Sequence, residues 1–296
     1  MNDRLELVLK GLTKKYKEKL AVNNINTVFH PGVYGLLGAN GAGKTTLMRM
    51  ICDVASPSFG EITLNGNRIS TMGENYRTLL GYLPQDFGYY PDYTAREFLY
   101  YIAALKGIKK RTAITLTDSV LKKVGLNGVE NKRIKTYSGG MKQRLGIAQA
   151  IMGNPQILLL DEPTAGLDPK ERVRFRNLIS DLAKDKIVIL STHIVSDVES
   201  IADIILVLKD GSIILSGSPD ELTKELDGKV WSYQISERDF NQLKHNQVVV
   251  GLHHEASGMI TIRSVSTQVP VKEASSEIPT LEDLYMFYFQ ETERGQ

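Results

Sequence analysis

Short, uninterrupted apolar runs alternate along this chain with segments whose apolar residues recur every three or four positions. Residues 5–9, apolar apart from Glu6, and residues 33–37 are apolar stretches that read as strands, the second leading directly into a glycine-rich loop and a following helix. Residues 60–69, GEITLNGNRI, alternate apolar side chains with turn glycines and predict a further strand or hairpin. After Pro84 the period changes. Thr94 and Glu97 form a capping-box pattern that opens a helix carrying Phe98, Leu99, Ile102 and Leu105. A second helix places Leu116, Val120, Leu121 and Val124 on one face and closes at Gly125, a residue suited to a left-handed C-cap. Residues 86–153 therefore read as a helical insertion in a β-rich chain.

Strands return at residues 157–160 and 187–190, apolar throughout, as expected of strands buried on both faces of a parallel sheet. The helix between them carries Val173, Leu178, Ile179 and Leu182. Residues 204–208 and 212–215 predict a hairpin turning through Asp210 and Gly211. Beyond Pro219 lie the strand-like KVWSYQIS and QVVVGLHHEASGMITIRS, then a helix capped by Thr280 with Leu281, Leu284, Tyr285 and Tyr288 inward. The pattern gives an α/β domain over residues 1–219 and a small α+β appendage over residues 220–296.

Composition narrows the classes. The 36 basic and 34 acidic residues leave a net charge of +2, which supplies no general electrostatic ground for a nucleic-acid partner. Basic clusters at residues 14–19, 106–111 and 132–135 read as solvated faces. A lone cysteine, Cys52, cannot form an internal disulfide, and the opening MNDRLELVLK lacks the apolar stretch of a secretory signal, which points to the cytoplasm. No apolar run approaches the roughly 20 residues that span a bilayer, so a membrane partner is expected on a separate polypeptide.

Three local patterns carry chemistry. The loop GANGAGKTT comprises Gly38, Ala39, Asn40, Gly41, Ala42, Gly43, Lys44, Thr45 and Thr46. Its glycines let backbone amides face a phosphate chain, and the helix behind adds its positive end. Lys44 would reach the β and γ phosphates of ATP, and Thr45 would place its hydroxyl on Mg2+. The strand ILLLDEP then ends in Asp161 and Glu162, where open α/β sheets bind ligands. Two adjacent carboxylates there call for a cation. Asp161 can hold Mg2+ and Glu162 can polarise an attacking water. In YSGGMKQR, Ser138, Gly139 and Gly140 open a helix without side-chain bulk, a second anion-accepting helix end. His30, His245, His253 and His254 lack the spacing of a metal site, and the last two are expected to face opposite sides of a strand.

Taken together and in this order, these motifs resemble those of the ATP-binding cassette (ABC) ATPases over residues 5–217. The resemblance implies a RecA-like P-loop NTPase core with an antiparallel β subdomain and a helical subdomain. It also implies a head-to-tail dimer, a homodimer on the simplest reading, with two ATP molecules between subunits. Ser138, Gly139 and Gly140 would then meet the γ-phosphate held by the opposite chain. Further positions follow from the same resemblance: Gln85 after GYLP as a Q-loop residue and Mg2+ ligand, His193 after IVILST as the switch histidine, Asp168 in AGLD as the D-loop residue, and Tyr16 as the aromatic stacking on adenine. Tyr137 stands where the family has leucine, Met141 where it has glutamine, and Ala165 where many members have serine, so altered packing is expected there. A soluble ABC protein acting on nucleic acid or the ribosome is the alternative, but such chains usually carry a long coiled coil or two cassettes, and neither is present. The wording YSGGMKQR and DEPTAGLDP, with the tail LEDLYMFYF, looks most like the ATPase subunits of bacterial ABC-2 exporters. This implies a permease on a separate chain, met by the tyrosines of FGYYPDYTARE at the cytoplasmic face of the membrane.

Overall fold

The computed structural model describes residues 5–240, 247–255 and 257–289; His245 lies outside them. The chain divides into two compact units, Met1–Ile214 and Leu215–Gln296.

In the first unit a parallel sheet runs in the order Ile204–Lys209, Gly32–Leu37, Ile187–Thr192, Ile157–Asp161, Leu80–Leu83. Ile157–Asp161 and Ile187–Thr192 are buried at every position, which is why they read as unbroken apolar runs. Asp210 and Gly211, both at positive φ, turn the chain from Ile204–Lys209 into the strand that starts at Ser212. A second, antiparallel sheet runs Lys19–Phe29, Leu7–Tyr16, Phe59–Leu64, Asn67–Arg68. The apolar layer between the sheets is filled by Phe29, Tyr34, Leu47, Met48, Ile62 and Leu64, with Tyr76 donating its hydroxyl to Ile51 O at 2.6 Å. The helix Lys44–Ile51 lies within this layer and is anchored by Leu47, Met48, Met50 and Ile51.

The strand Lys19–Phe29 was not legible as one. Asn23, Asn24 and Asn26 are exposed, and register shifts against Leu7–Tyr16 break the alternation of inward residues to Val22, Ile25 and Phe29. In the helix Pro169–Leu182, Phe175 and Ile179 are the buried residues while Val173 is 51% exposed. The expected apolar set there is corrected at Val173, whose inward place Phe175 takes.

Helices Ala95–Leu105, Lys110–Lys123 and Gly139–Ile151 form the helical part. The Thr94–Glu97 capping box closes as expected, and Gly125 sits at φ +66. Gly139–Ile151 lies hard against the strand Leu80–Leu83: a Cβ on Gly81 would stand 2.2 Å from Ala150 O and 2.9 Å from Pro155 Cγ. Gly81→Ala is therefore expected to cost about 1–3 kcal/mol through overpacking. A thermal melt checks this; an unchanged midpoint would contradict the close approach.

In the second unit an antiparallel sheet runs Val248–His254, Met259–Val265, Val230–Ser236, Ser275–Ser276 around Tyr233, Ile235, Ile260 and Ile262. His253 and His254 follow one another on an edge strand, both exposed. Thr280 caps Leu281–Tyr288 in a reciprocal box with Asp283, and Arg263 grips the buried Asp283 carboxylate at 2.8 and 2.7 Å. No helix among the described residues is long and apolar enough to cross a membrane.

Candidate functional site

The strand Gly32–Leu37 delivers the glycine loop to the carboxyl edge of the parallel sheet. There Gly43 takes φ +106, and a Cβ on it would lie 2.4 Å from Ala21 O. Only glycine fits that turn. Helix Lys44–Ile51 starts immediately after it, so the loop amides and the positive helix end converge on one space.

That space is a cleft of ≈310 Å³ lined by Asn40 to Thr46, Gln85, Glu162, His193, Ala165, Lys19 and Ala21. Loop, strand end, Gln85 and His193 are thus brought together from Asn40 at one end of the sequence span to His193 at the other, as parallel strands ending on one edge allow. Gly38 and Ala39 enter indirectly: their carbonyls accept from Lys44 Nζ at 2.6 and 3.2 Å. The same ammonium is 3.9 Å from Glu162 Oε1. Burial pushes Lys44 below the ordinary lysine range, and the carboxylates of Glu162 and Asp161 act in the opposite sense.

Glu162 has a non-glycine φ of +50, an uncommon conformation that aims its side chain into the cleft. Its N–H donates to Ser191 O at 3.2 Å and Ser191 Oγ at 3.1 Å, and its Oε2 lies 3.0 Å from His193 Nδ1. Ser191 in turn donates to Asp161 Oδ1 at 2.5 Å, and Thr45 donates to the same oxygen at 3.3 Å. Asp161 Oδ2 is buried and has no hydrogen-bond partner among the described residues. A carboxylate oxygen so placed beside a threonine hydroxyl has the donor chemistry of a hard divalent cation site.

Other expected residues stand apart from the cleft. Tyr16 is 46% exposed with Lys14 Nζ 5.1 Å above its ring; it is not among the lining residues, although its register partner Lys19 is. Ser138 caps Gly139–Ile151, accepting from Met141 N at 3.2 Å. Ser138 and Gly139 are exposed, away from this chain's own cleft. Asp168 is likewise exposed, capping Pro169–Leu182 through Glu171 N at 2.8 Å. Tyr137 is buried and donates to Val129 O at 2.8 Å, which accounts physically for an aromatic at that position.

Four contributors were not legible in the sequence. Ser191 sits inside an apolar strand, where a single serine carries little signal. Lys19 and Ala21 belong to the unforeseen strand. Arg144 donates to Gly125 O at 2.7 Å and Gly140 O at 3.4 Å while pairing with Glu171 at 3.1 Å. It thereby joins the helix that Ser138 caps to the helix that Asp168 caps, a link no spacing rule reveals.

With this geometry in hand, residues 22–165 match the family model described as ABC transporter. The chain is 38% identical over 235 residues to the uncharacterized ABC transporter ATP-binding protein YxlF of Bacillus subtilis, covering 78% of this chain and 77% of that one. It is 33% identical over 266 residues to Nod factor export ATP-binding protein I of Burkholderia lata, covering 89% and 87% respectively. Among solved structures it is similar to the dimeric post-hydrolysis state of the ATP-binding cassette MJ0796 bound to ADP and Pi. That match has a TM-score of 0.66, 26% identity, and covers 72% of this chain and 98% of the other.

Proposed function

Because this chain belongs to the ABC transporter ATP-binding proteins, we propose that its cleft binds ATP and Mg2+ for hydrolysis that drives a membrane exporter. The observation that carries the reading is the convergence of the glycine loop, Glu162, Gln85 and His193 on one cleft, with Asp161 just behind it accepting from the loop's Thr45. ATPase activity is the family's chemistry, and the fold is that of the family's cassettes.

The roles follow from the contacts. Residues 38–46 would wrap the phosphates, with Lys44 exchanging the Gly38 and Ala39 carbonyls for phosphate oxygens. Thr45, Asp161 and Gln85 would hold Mg2+, and the unpartnered Asp161 Oδ2 supports that assignment. Bound there, the ion neutralises phosphate charge. Glu162 is the base that orients and polarises the attacking water. His193, already hydrogen-bonded to Glu162, fixes that carboxylate and contacts the γ-phosphate. Much of the rate then comes from positioning and electrostatics rather than from proton transfer alone.

Ser138 and Gly139 are exposed, Gly140 half-buried, and none of the three lines this chain's own cleft, which supports their service to a second copy of the chain. Asp168 would communicate across that dimer, and Tyr16 at the strand edge would stack on adenine. Residues 1–219 are the ATPase domain in this reading and residues 220–296 an accessory domain. Tyr90, Tyr93 and Tyr101 form an exposed aromatic group, with ring centroids 4.9 and 5.4 Å apart, suited to meeting a permease at the cytoplasmic face of the membrane. The name of the Nod factor export relative supports export. Affinity purification from detergent-solubilised membranes is expected to recover an integral membrane protein with this chain. Recovery of ribosomes or DNA instead would favour the soluble alternative.

A further inference from the structure

Outside the cleft, one deeply buried carboxyl group without a role in the scheme above is Asp197. It is 1% exposed and lies on the short helix Val195–Glu199 that immediately follows His193. Its Oδ2 accepts from Thr164 Oγ1 at 2.5 Å, and Thr164 is itself 1% exposed. Oδ1 makes no hydrogen bond among the described residues but faces two guanidiniums, Arg172 at 3.8 Å and Arg176 at 3.7 Å. Arg172 also donates its Nε to Leu167 O at 3.2 Å.

The placement of this cluster gives it a consequence for the chemistry. Thr164 and Leu167 bracket the turn that leads from Glu162 to Asp168, whereas Asp197 rides on the segment that carries His193. The catalytic carboxylate and the histidine at 3.0 Å from it therefore sit on two segments that are tied together a second time, behind the site, by a buried charge-assisted hydrogen bond. Taking a carboxylate out of water is costly, and truncating one member of such a pair leaves the other uncompensated. For packing alone an apolar residue of the same volume would serve.

We propose that Asp197, acting through Thr164, is a positioning residue of the ATPase reaction. It holds the His193 segment in register with the segment bearing Glu162 and Asp168, so that a shift of either is transmitted to the other. The inference rests on the assignment of Glu162 and His193 as the hydrolytic pair.

Steady-state ATPase kinetics of the full chain test it with Thr164→Val, Thr164→Ser, Asp197→Asn and His193→Ala. Thr164→Val and Asp197→Asn are expected to lower kcat about tenfold to a hundredfold, the range for a small misplacement of reacting groups, with KM for ATP unchanged; the buried partner left unsatisfied lowers the melting midpoint as well, so kinetics are read well below it. Thr164→Ser, which keeps the hydroxyl, is expected to turn over like the parent chain. Normal kcat in Thr164→Val overturns the positioning role, as does a loss of ATP affinity in parallel with kcat at a temperature where the variant is folded, which marks a purely structural contact. His193→Ala separates the two levels. If it hydrolyses ATP normally, the underlying pair assignment fails; if it is inactive while Thr164→Val turns over normally, only the positioning role fails.

Discussion

Lys44→Ala is expected to weaken ATP binding about tenfold to a hundredfold, the equivalent of losing charged hydrogen bonds worth about 1.5–3 kcal/mol. Lys44 is the only cation buried in the cleft among its described lining residues, and its ammonium donates to the carbonyls of Gly38 and Ala39 at the start of the loop. Removing it leaves the Gly38 carbonyl without its 2.6 Å donor and the Glu162 carboxylate with His193 as its remaining close partner. Both changes make the cleft more negative, which opposes a polyanion. Titration with a fluorescent ATP analogue checks this, and an unchanged affinity would count against the loop as the phosphate site.

Glu162→Gln should act on the other half of the kinetics. Glutamine keeps the size and can keep the contact to His193, so ATP affinity is expected to hold. It cannot take up a proton from water, and hydrolysis is expected to fall about a hundredfold to ten-thousandfold. The left-handed backbone at this position makes the assignment sharper. A residue held at φ +50, with its N–H tied twice to Ser191, has its carboxylate aimed by the strand end rather than by chance of rotamer. Phosphate release over time measures the effect; normal turnover would remove Glu162 from the role of base.

Much of this site was legible because its parts are local. A glycine-rich loop between a strand and a helix, an acidic pair ending an apolar strand, and Gln85 and His193 after similar runs each announce themselves within a few residues. Parallel strands then end on a common edge by topology alone, so their terminal residues meet without further instruction. What stayed hidden depends on contacts between distant segments. Lys19–Phe29 has its alternation broken by bulges, so a strand that contributes Lys19 and Ala21 to the cleft reads as irregular chain. Ser191 is one hydroxyl in an apolar run, yet it bonds both Asp161 and Glu162. Arg144 and Asp197 connect helices through single side chains whose partners lie 19 to 33 residues away. Val173 faces outward because it is out of phase with Leu178, Ile179 and Leu182, whereas Phe175, three and four residues before the first two, takes the inward position.

The central claim is that two copies of this chain build each working site, with residues 38–46 from one and Ser138, Gly139 and Gly140 from the other. Light scattering on size-exclusion-purified Glu162→Gln, with and without ATP, tests it most directly. The account predicts a monomer mass without nucleotide and twice that mass with ATP, the shift being abolished when Lys44→Ala is added. A mass that stays at one chain in saturating ATP, with ATP demonstrably bound, would contradict it.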